Sequence, residues 1–296
     1  MTDRVLGVVE ARAGGATLVG IGGIHGNEPA GVRALETVLS ELGRPGGGLA
    51  RGRFIALAGN RPALDAGVRY IDRDLNRIWN ACDGRDDVEG AERGELLALL
   101  DGYRRASAGP PYLVDLHTTS GSAPPFVVVA EGRKSRDFAR ALPAPLVLAL
   151  SSQIPGTLVE YLAGEGWTGL GFESGSHKGI VSVEFAVAAL WIALEAAGLL
   201  EPGDTRSAEA RRRLAAASRG LPGAVEVFHH HPIAGNGVFR MRPGYRSFQR
   251  IDAGEVLATE GEAEIRSPSG GQILMPLYQR AGREGFFLTR PVHRSD

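Results

Sequence analysis

The chain has a single cysteine, Cys82, among 296 residues. That excludes an intramolecular disulfide framework, an iron–sulfur cluster held within one chain and a cysteine-based zinc site. A tight metal site must therefore draw on carboxylates and on seven histidines: His25, His117, His177, His229, His230, His231 and His293. Lysine is nearly missing too, at Lys134 and Lys178 only, against 31 arginines. No long apolar run is present. The longest, residues 185–194, is too short to cross a bilayer as a helix, so no membrane partner is expected. Charge of one sign is also lacking, because 33 basic and 34 acidic side chains leave a formal net charge of −1. Binding to nucleic acid by bulk electrostatics is not expected on that balance. The first residues carry charges and no apolar leader, so a cytoplasmic location is the default expectation.

Glycine is abundant, at 42 residues, and 43% of the chain is hydrophobic. This describes a loop-rich globular protein with a sizeable core. Up to residue 219, short apolar runs alternate with helical patterns. Residues 17–22, 54–58, 112–116, 126–130, 146–150 and 169–172 read as buried strands. Val32, Leu35, Val38, Leu39 and Leu42 mark one face of a helix, and residues 92–105 and 208–219 read as two more. Residues 180–200 are apolar on nearly every face and read as a buried helix. The alternation predicts an α/β sheet with helices on both faces.

Beyond Gly220 the pattern changes to short β-like runs separated by Gly and Pro turns. The boundaries are therefore expected at 1–219 for an α/β domain and 220–296 for a small all-β domain. Its turns Arg242-Pro-Gly and Asp252-Ala-Gly-Glu255, with the stretch 265–271, resemble the biotinyl/lipoyl barrel-sandwich fold. Carriers of that family bear a lysine at a hairpin tip, and this chain has none beyond Lys178, which excludes a swinging-arm role.

Four segments carry residues suited to chemistry. In Gly22-Gly-Ile-His25-Gly-Asn-Glu28-Pro, an imidazole and a carboxylate stand three apart at a strand-to-helix turn. That is a normal zinc-ligand pair, although His-x-x-Glu alone also describes a turn histidine and a helix-start glutamate. In Val114-Asp115-Leu116-His117-Thr118-Thr119, His117 lies just past an apolar strand. Taken alone it reads as a core-edge histidine, but two such histidines at strand ends, with Glu28, favour a metal site. Asp115 suits a group that orients a ligand histidine. In Leu170-Gly-Phe-Glu173-Ser-Gly-Ser-His177, Glu173 ends a buried strand, where a carboxylate is expensive unless it is used. The stretch Arg69-Tyr-Ile-Asp72-Arg73-Asp74-Leu75-Asn76-Arg77 packs three arginines together, either as a carboxylate clamp or as a salt-bridged surface loop. The run His229-His230-His231 puts alternate rings on opposite strand faces and does not converge on a metal.

These four segments, in this order, resemble the succinylglutamate desuccinylase/aspartoacylase family of the zinc carboxypeptidase clan. The resemblance covers residues 15–200 and implies a zinc-carboxypeptidase-like mixed sheet flanked by helices, followed by the small β domain. It implies one zinc ion (Zn2+) per chain, held by His25, Glu28 and His117. It further implies Glu173 as general base, Arg69 as the group that polarises the scissile carbonyl, and Asn76 and Arg77 as the grip on the substrate carboxylate. Two departures bear on the substrate. Acidic-substrate relatives have an arginine where this chain has Ala163, and only Tyr278 offers a hydroxyl in place of their C-terminal substrate-contacting tyrosine. N-acetylaspartate and N-succinylglutamate are both thereby put in question, and a less acidic N-acylated amino acid fits as well.

The expected activity is zinc-dependent hydrolysis of the amide bond of a small N-acylated amino acid. A carboxypeptidase acting on a small peptide and a non-catalytic binding protein on the same fold stand as alternatives. Besides the substrate, the partner to expect is further copies of the chain in a homo-oligomer.

Overall fold

The computed structural model describes residues 2–81, 84–234 and 238–292. Cys82, Gly237 and His293 lie outside the described residues. In chain order the first strands are β1 (Val5–Glu10), β2 (Thr17–Gly22), β3 (Arg53–Ala58), β4 (Pro111–Thr119), β5 (Phe126–Val129), β6 (Leu146–Leu148) and β7 (Thr168–Ser176). There follow β8 (Ala224–Pro232), β9 (Phe239–Met241), β10 (Gln249–Ile251), β11 (Val256–Glu260), β12 (Ala263–Arg266), β13 (Gly271–Leu274) and β14 (Glu284–Pro291). The helices are α1 (Ala30–Leu42), α2 (Arg61–Ala66), α3 (Val88–Arg105), α4 (Arg133–Ala139), α5 (Leu150–Gln153), α6 (Leu158–Gly164), α7 (Ser182–Ala196) and α8 (Thr205–Ala217). A 3₁₀ turn occupies Leu75–Arg77.

One mixed sheet of eleven strands runs in the order β1-β3-β2-β4-β7-β5-β6-β8-β14-β13-β10. Strands β3, β2, β4 and β7 are parallel, β5 reverses against β7, and the strands from β14 outward are antiparallel. After β2 the chain passes to β3 on one side and then to β4 on the other. The carboxyl ends of β2 and β4 therefore flank a topological switch point, where α/β sheets open a crevice.

Helices cover both faces, as the alternation predicts. On one face α1 and α7 pack against Leu18, Phe54, Val114 and Phe172. On the other, Leu96 and Leu100 of α3 and Leu158 and Leu162 of α6 meet Val19, Ile55 and Leu113. Helix α7 lies between α1 and α8, which is why it is apolar nearly all round. It starts at Ser182 rather than Ile180, because the turn through Gly179 leaves Ile180 in solvent at 92% exposure. Strands β4 and β7 run further than their apolar runs, so His117 and Glu173 lie inside strands rather than just beyond them.

The expected boundary at 219/220 falls in the loop between α8 and β8, and the sheet continues across it. Strand β8 pairs in parallel with β6 and antiparallel with β14. Phe126 and Val147 share one apolar cluster with Val225, Phe248, Leu274 and Phe287. A second sheet, β12-β11-β9, faces the strands β10, β13 and β14 over Met241, Leu257, Ile273 and Phe286, which makes the C-terminal region a small sandwich. Among the described residues no helix is long and apolar enough to cross a membrane.

Candidate functional site

The site is assembled at the switch point. Strand alternation puts Asp115 and His117 of β4 on one face, with Gly171 and Glu173 of β7 beside them. His117 and Glu173 are register partners across the parallel pair β4–β7. His25 and Glu28 come from the turn after β2. Gly26 between them is required there, because a Cβ would fall on the backbone of Ala63 in α2. Its N–H also donates to the carbonyl of Arg69 at 3.2 Å, which ties this turn to the arginine segment.

His25 Nδ1 lies 2.9 Å from Glu28 Oε1, and His117 Nδ1 lies 3.2 Å from Glu28 Oε2. The two rings are 5.0 Å apart between centroids. One ligand atom from each of the three residues lies within 4.8 Å of the others, and all three residues are buried. Burial would raise the Glu28 pKa, but the facing histidines hold it well below the carboxylate range, so the carboxylate is charged. Each histidine turns its other nitrogen to an aspartate. His25 Nε2 is 3.1 Å from Asp74 Oδ1, and His117 Nε2 is 3.0 Å from Asp115 Oδ2. Carboxylate-backed imidazoles around an ionised glutamate are the donor chemistry of a His₂Glu metal centre, so these residues fit a metal such as zinc. Burial opposes protonation of His117, yet Asp115 and Glu28 raise its pKa well above the usual histidine value.

Glu173 is also buried, at 6% exposure, and its Oε2 has no hydrogen-bond partner. Burial first, then the neighbouring Glu28 and Asp115 charges, push its pKa up to about 8 against the pull of His117. Such a carboxyl is poised to take and return a proton near neutrality.

The arginine segment is a salt-bridged loop, with Arg69, Arg73 and Arg77 each paired to a carboxylate. Buried Glu89 of α3 accepts the N–H groups of Ile71, Asp72 and Arg73, plus the amide of Asn60. Asp74 is its hub, accepting from Arg69 Nε at 3.0 Å and Asn76 N at 2.9 Å besides facing His25. Arg69 therefore stands over Glu28, with Nη1 3.7 Å from Oε1. Asn76 approaches His117 with its amide nitrogen, and its oxygen accepts from Leu158 N at 2.8 Å. Arg77 reaches the same cavity but pairs with Glu284 of β14, at 3.1 Å from Nε and 3.0 Å from Nη2. Arg73, the third arginine of the stretch, turns away to pair with Asp87 at 2.6 Å.

Tyr278 is not brought into the cavity. Its hydroxyl donates to the Arg242 carbonyl and accepts from Tyr245 N, fastening two segments of the C-terminal sandwich. Its neighbour Gln279 enters instead. Gln279 Oε1 accepts from Asn27 Nδ2 at 2.9 Å and meets His177 Nε2 at 3.1 Å, while His177 Nδ1 meets Thr118 Oγ1 at 2.7 Å. Burial lowers the His177 pKa, which keeps this link neutral. Asp74, Gln279 and Glu284 escaped the sequence reading. Asp74 had a signal in its position between Arg69 and Asn76, whereas Gln279 and Glu284 have none, because the tertiary fold alone brings β14 and its preceding loop here. The histidine run lies on β8, with His230 stacked on Phe287 at 4.8 Å and His231 on Phe286 at 4.9 Å, on opposite faces.

Three comparisons with known proteins bear on this arrangement. Residues 14–188 match the sequence family described as the succinylglutamate desuccinylase/aspartoacylase catalytic domain. A succinylglutamate desuccinylase of Pseudomonas syringae pv. tomato is 37% identical over 99 residues, covering 33% of this chain and 28% of that relative. The matched stretch thus spans under a third of that relative's length. An N-acyl-aromatic-L-amino acid amidohydrolase (carboxylate-forming) of Xenopus laevis is 25% identical over 266 residues, covering 81% of this chain and 84% of that one. In fold, the chain is similar to a succinylglutamate desuccinylase/aspartoacylase structure from Rhodobacter sphaeroides, with a TM-score of 0.70 at 19% identity over 95% of this chain and 87% of that one.

Proposed function

Since the chain belongs to the succinylglutamate desuccinylase/aspartoacylase family, we propose that it is a zinc-dependent deacylase that hydrolyses the amide bond of a small N-acylated amino acid. The observation that carries this reading is the meeting of His25, Glu28 and His117 with Glu173 at one sheet crevice. A binding-only protein has no need of a buried, unpartnered carboxylate beside a metal-ligand set. The comparisons do not favour a peptide-cleaving or non-catalytic alternative.

In this reading His25, Glu28 and His117 hold the zinc. Bound there, zinc supplies Lewis acidity and lowers the pKa of a water to about 7. Glu173 takes a proton from the attacking water and returns it to the leaving amine. Its Oε2 is buried without a hydrogen-bond partner, which leaves that oxygen free to hold the proton between the two steps. Arg69, fixed by Asp74, faces the scissile carbonyl and stabilises the developing oxyanion. Asn76 and Arg77 orient the substrate carboxylate. Glu28 and Asp115 hold His117, so the site is organised before substrate arrives.

The test is metal analysis joined to turnover of N-acetyl amino acids and of short peptides. About one zinc per chain is expected, with amide cleavage in the first set only. His117→Ala should lose metal, whereas Glu173→Ala should keep metal and lose turnover. Zinc content untouched by His117→Ala sinks the ligand assignment, and full turnover by Glu173→Ala sinks the base.

A further inference from the structure

The cavity beyond the polar centre is apolar. Its wall includes Val128, Leu150, Ile154, Val159, Met275 and Phe287. Two of its supports adopt backbone conformations that ordinary side chains rarely take: Met275 at φ 51° and Ala149, just before Leu150, at φ 60°. Such geometry persists only where packing enforces it, and it places these walls deliberately rather than by default. Gly171 stands between Val128 and Val159. A Cβ there would lie 3.4 Å from Val128 Cβ and 3.9 Å from Val159 Cγ2, so its lack of a side chain keeps that part of the cavity open.

The apolar wall lies on the side of the carboxylate grip. Asn76 accepts from Leu158 N, and Trp79 N donates to Gly156 O at 3.2 Å, so the segment bearing Ile154 and Val159 packs directly behind Asn76 and Arg77. A substrate held by its α-carboxylate at Asn76 and Arg77 therefore turns its amino-acid side chain toward this wall.

Both arginines in the cavity are already paired with carboxylates. Arg69 and Arg77 are the only guanidinium or ammonium groups among the described residues that line it. Asp74 pairs Arg69, and Glu284 occupies Nε and Nη2 of Arg77. Burial would raise the Glu284 pKa, but Arg77 lowers it, so the pair stays ionised. Arg77 keeps N–H groups for one carboxylate. A second carboxylate would meet no free cation, and it would approach Glu160, which lines the same wall with Oε2 unpartnered. Burying such a charge unpaired is costly.

We propose that the amino-acid half of the substrate carries an uncharged apolar side chain, and that Glu284, by neutralising Arg77, is a specificity-determining residue that sets this preference against acidic side chains. The proposal rests on the deacylase reading for which end of the substrate Asn76 and Arg77 hold. It is tested separately by equilibrium binding, which does not require turnover.

The experiment measures calorimetric binding of N-acetyl-leucine, N-acetyl-phenylalanine, N-acetyl-alanine, N-acetyl-glutamate and N-acetyl-lysine to zinc-loaded Glu173→Gln protein. The leucine and phenylalanine derivatives should bind at least about tenfold more tightly than the glutamate and lysine derivatives. Adding Glu284→Gln should narrow the leucine-to-glutamate ratio about tenfold, mainly by tightening the glutamate derivative. Adding Gly171→Val should weaken the phenylalanine derivative relative to the alanine derivative. Tighter binding of the glutamate or lysine derivative, an unchanged ratio in the Glu284 variant, or no binding by any member overturns the proposal. Normal apolar preference in binding with no turnover of any member by the wild-type protein would overturn the deacylase reading instead.

Discussion

Asp74 and His25 come from segments that the sequence separates by 49 positions, and the fold sets Asp74 Oδ1 3.1 Å from His25 Nε2. The same carboxylate binds Arg69 and the Asn76 N–H. One side chain thus orients a metal-ligand candidate, the Arg69 guanidinium proposed to face the substrate carbonyl and Asn76 of the proposed carboxylate grip. The aspartate lies well below its usual pKa, since His25 and Arg69 outweigh the effect of its burial.

Asp74→Asn should therefore weaken zinc binding about 10–100-fold, the usual cost of losing a group that orients a ligand histidine. Competition with a chromophoric chelator measures this without any assay of activity. Unchanged zinc affinity would show that Asp74 is merely structural.

The Glu173 carboxyl should cost the metal-free protein stability as pH rises from about 4.5 to about 8. Its folded pKa is about 8, while the unfolded value is near the ordinary 4.5. Between those values the folded state holds a proton that the unfolded state has released, so this group costs stability progressively as pH rises through that window. Glu173→Gln should remove the effect. Urea unfolding of metal-free protein should show the variant gaining on the wild type from pH 5 to pH 8, by on the order of 3 kcal/mol. A difference that does not change with pH counts against the raised pKa.

Glu92 acts in the opposite sense at acid pH. It is buried against Arg4 and Arg61, and those contacts lower its pKa from 4.5 although burial pushes the other way. Its contribution is thus present above pH 4.5 and is lost as pH falls through the folded pKa. Glu92→Gln should cost about 1–3 kcal/mol at pH 7, and chemical denaturation should show that difference shrinking below pH 4. A loss of equal size at pH 7 and at pH 3 would contradict the assignment.

The sheet and the apolar cluster that cross the 219/220 boundary predict one unfolding event. Strand β8 is hydrogen-bonded to β6, and Phe126, Val147, Val225 and Phe287 share a core. Calorimetry should show a single transition, and Val225→Ala, which opens a cavity in that shared core, should lower it as a whole at a cost of about 1–3 kcal/mol. Two separable transitions, with only one moved by Val225→Ala, would show that the regions fold independently.

The sequence by itself determined the parts that depend on local pattern. Strand and helix periods are short-range, so the layered α/β order and the change of character at residue 220 were legible. The metal-ligand candidates His25, Glu28 and His117, and Glu173 with them, stand out in the sequence because polar groups at the ends of apolar runs contrast with their surroundings. The tertiary structure alone decided what depends on long-range register. It chose which arginines enter the cavity, turning Arg73 to Asp87 while Arg77 meets Glu284. It made the C-terminal strands a wall of the site rather than an appendage, bringing Gln279 to Asn27 across 252 positions. It also took Tyr278 out of the cavity by giving its hydroxyl two backbone partners. Pairing between distant strands carries no local sequence period, so only the folded sheet reveals which side chains share its crevice.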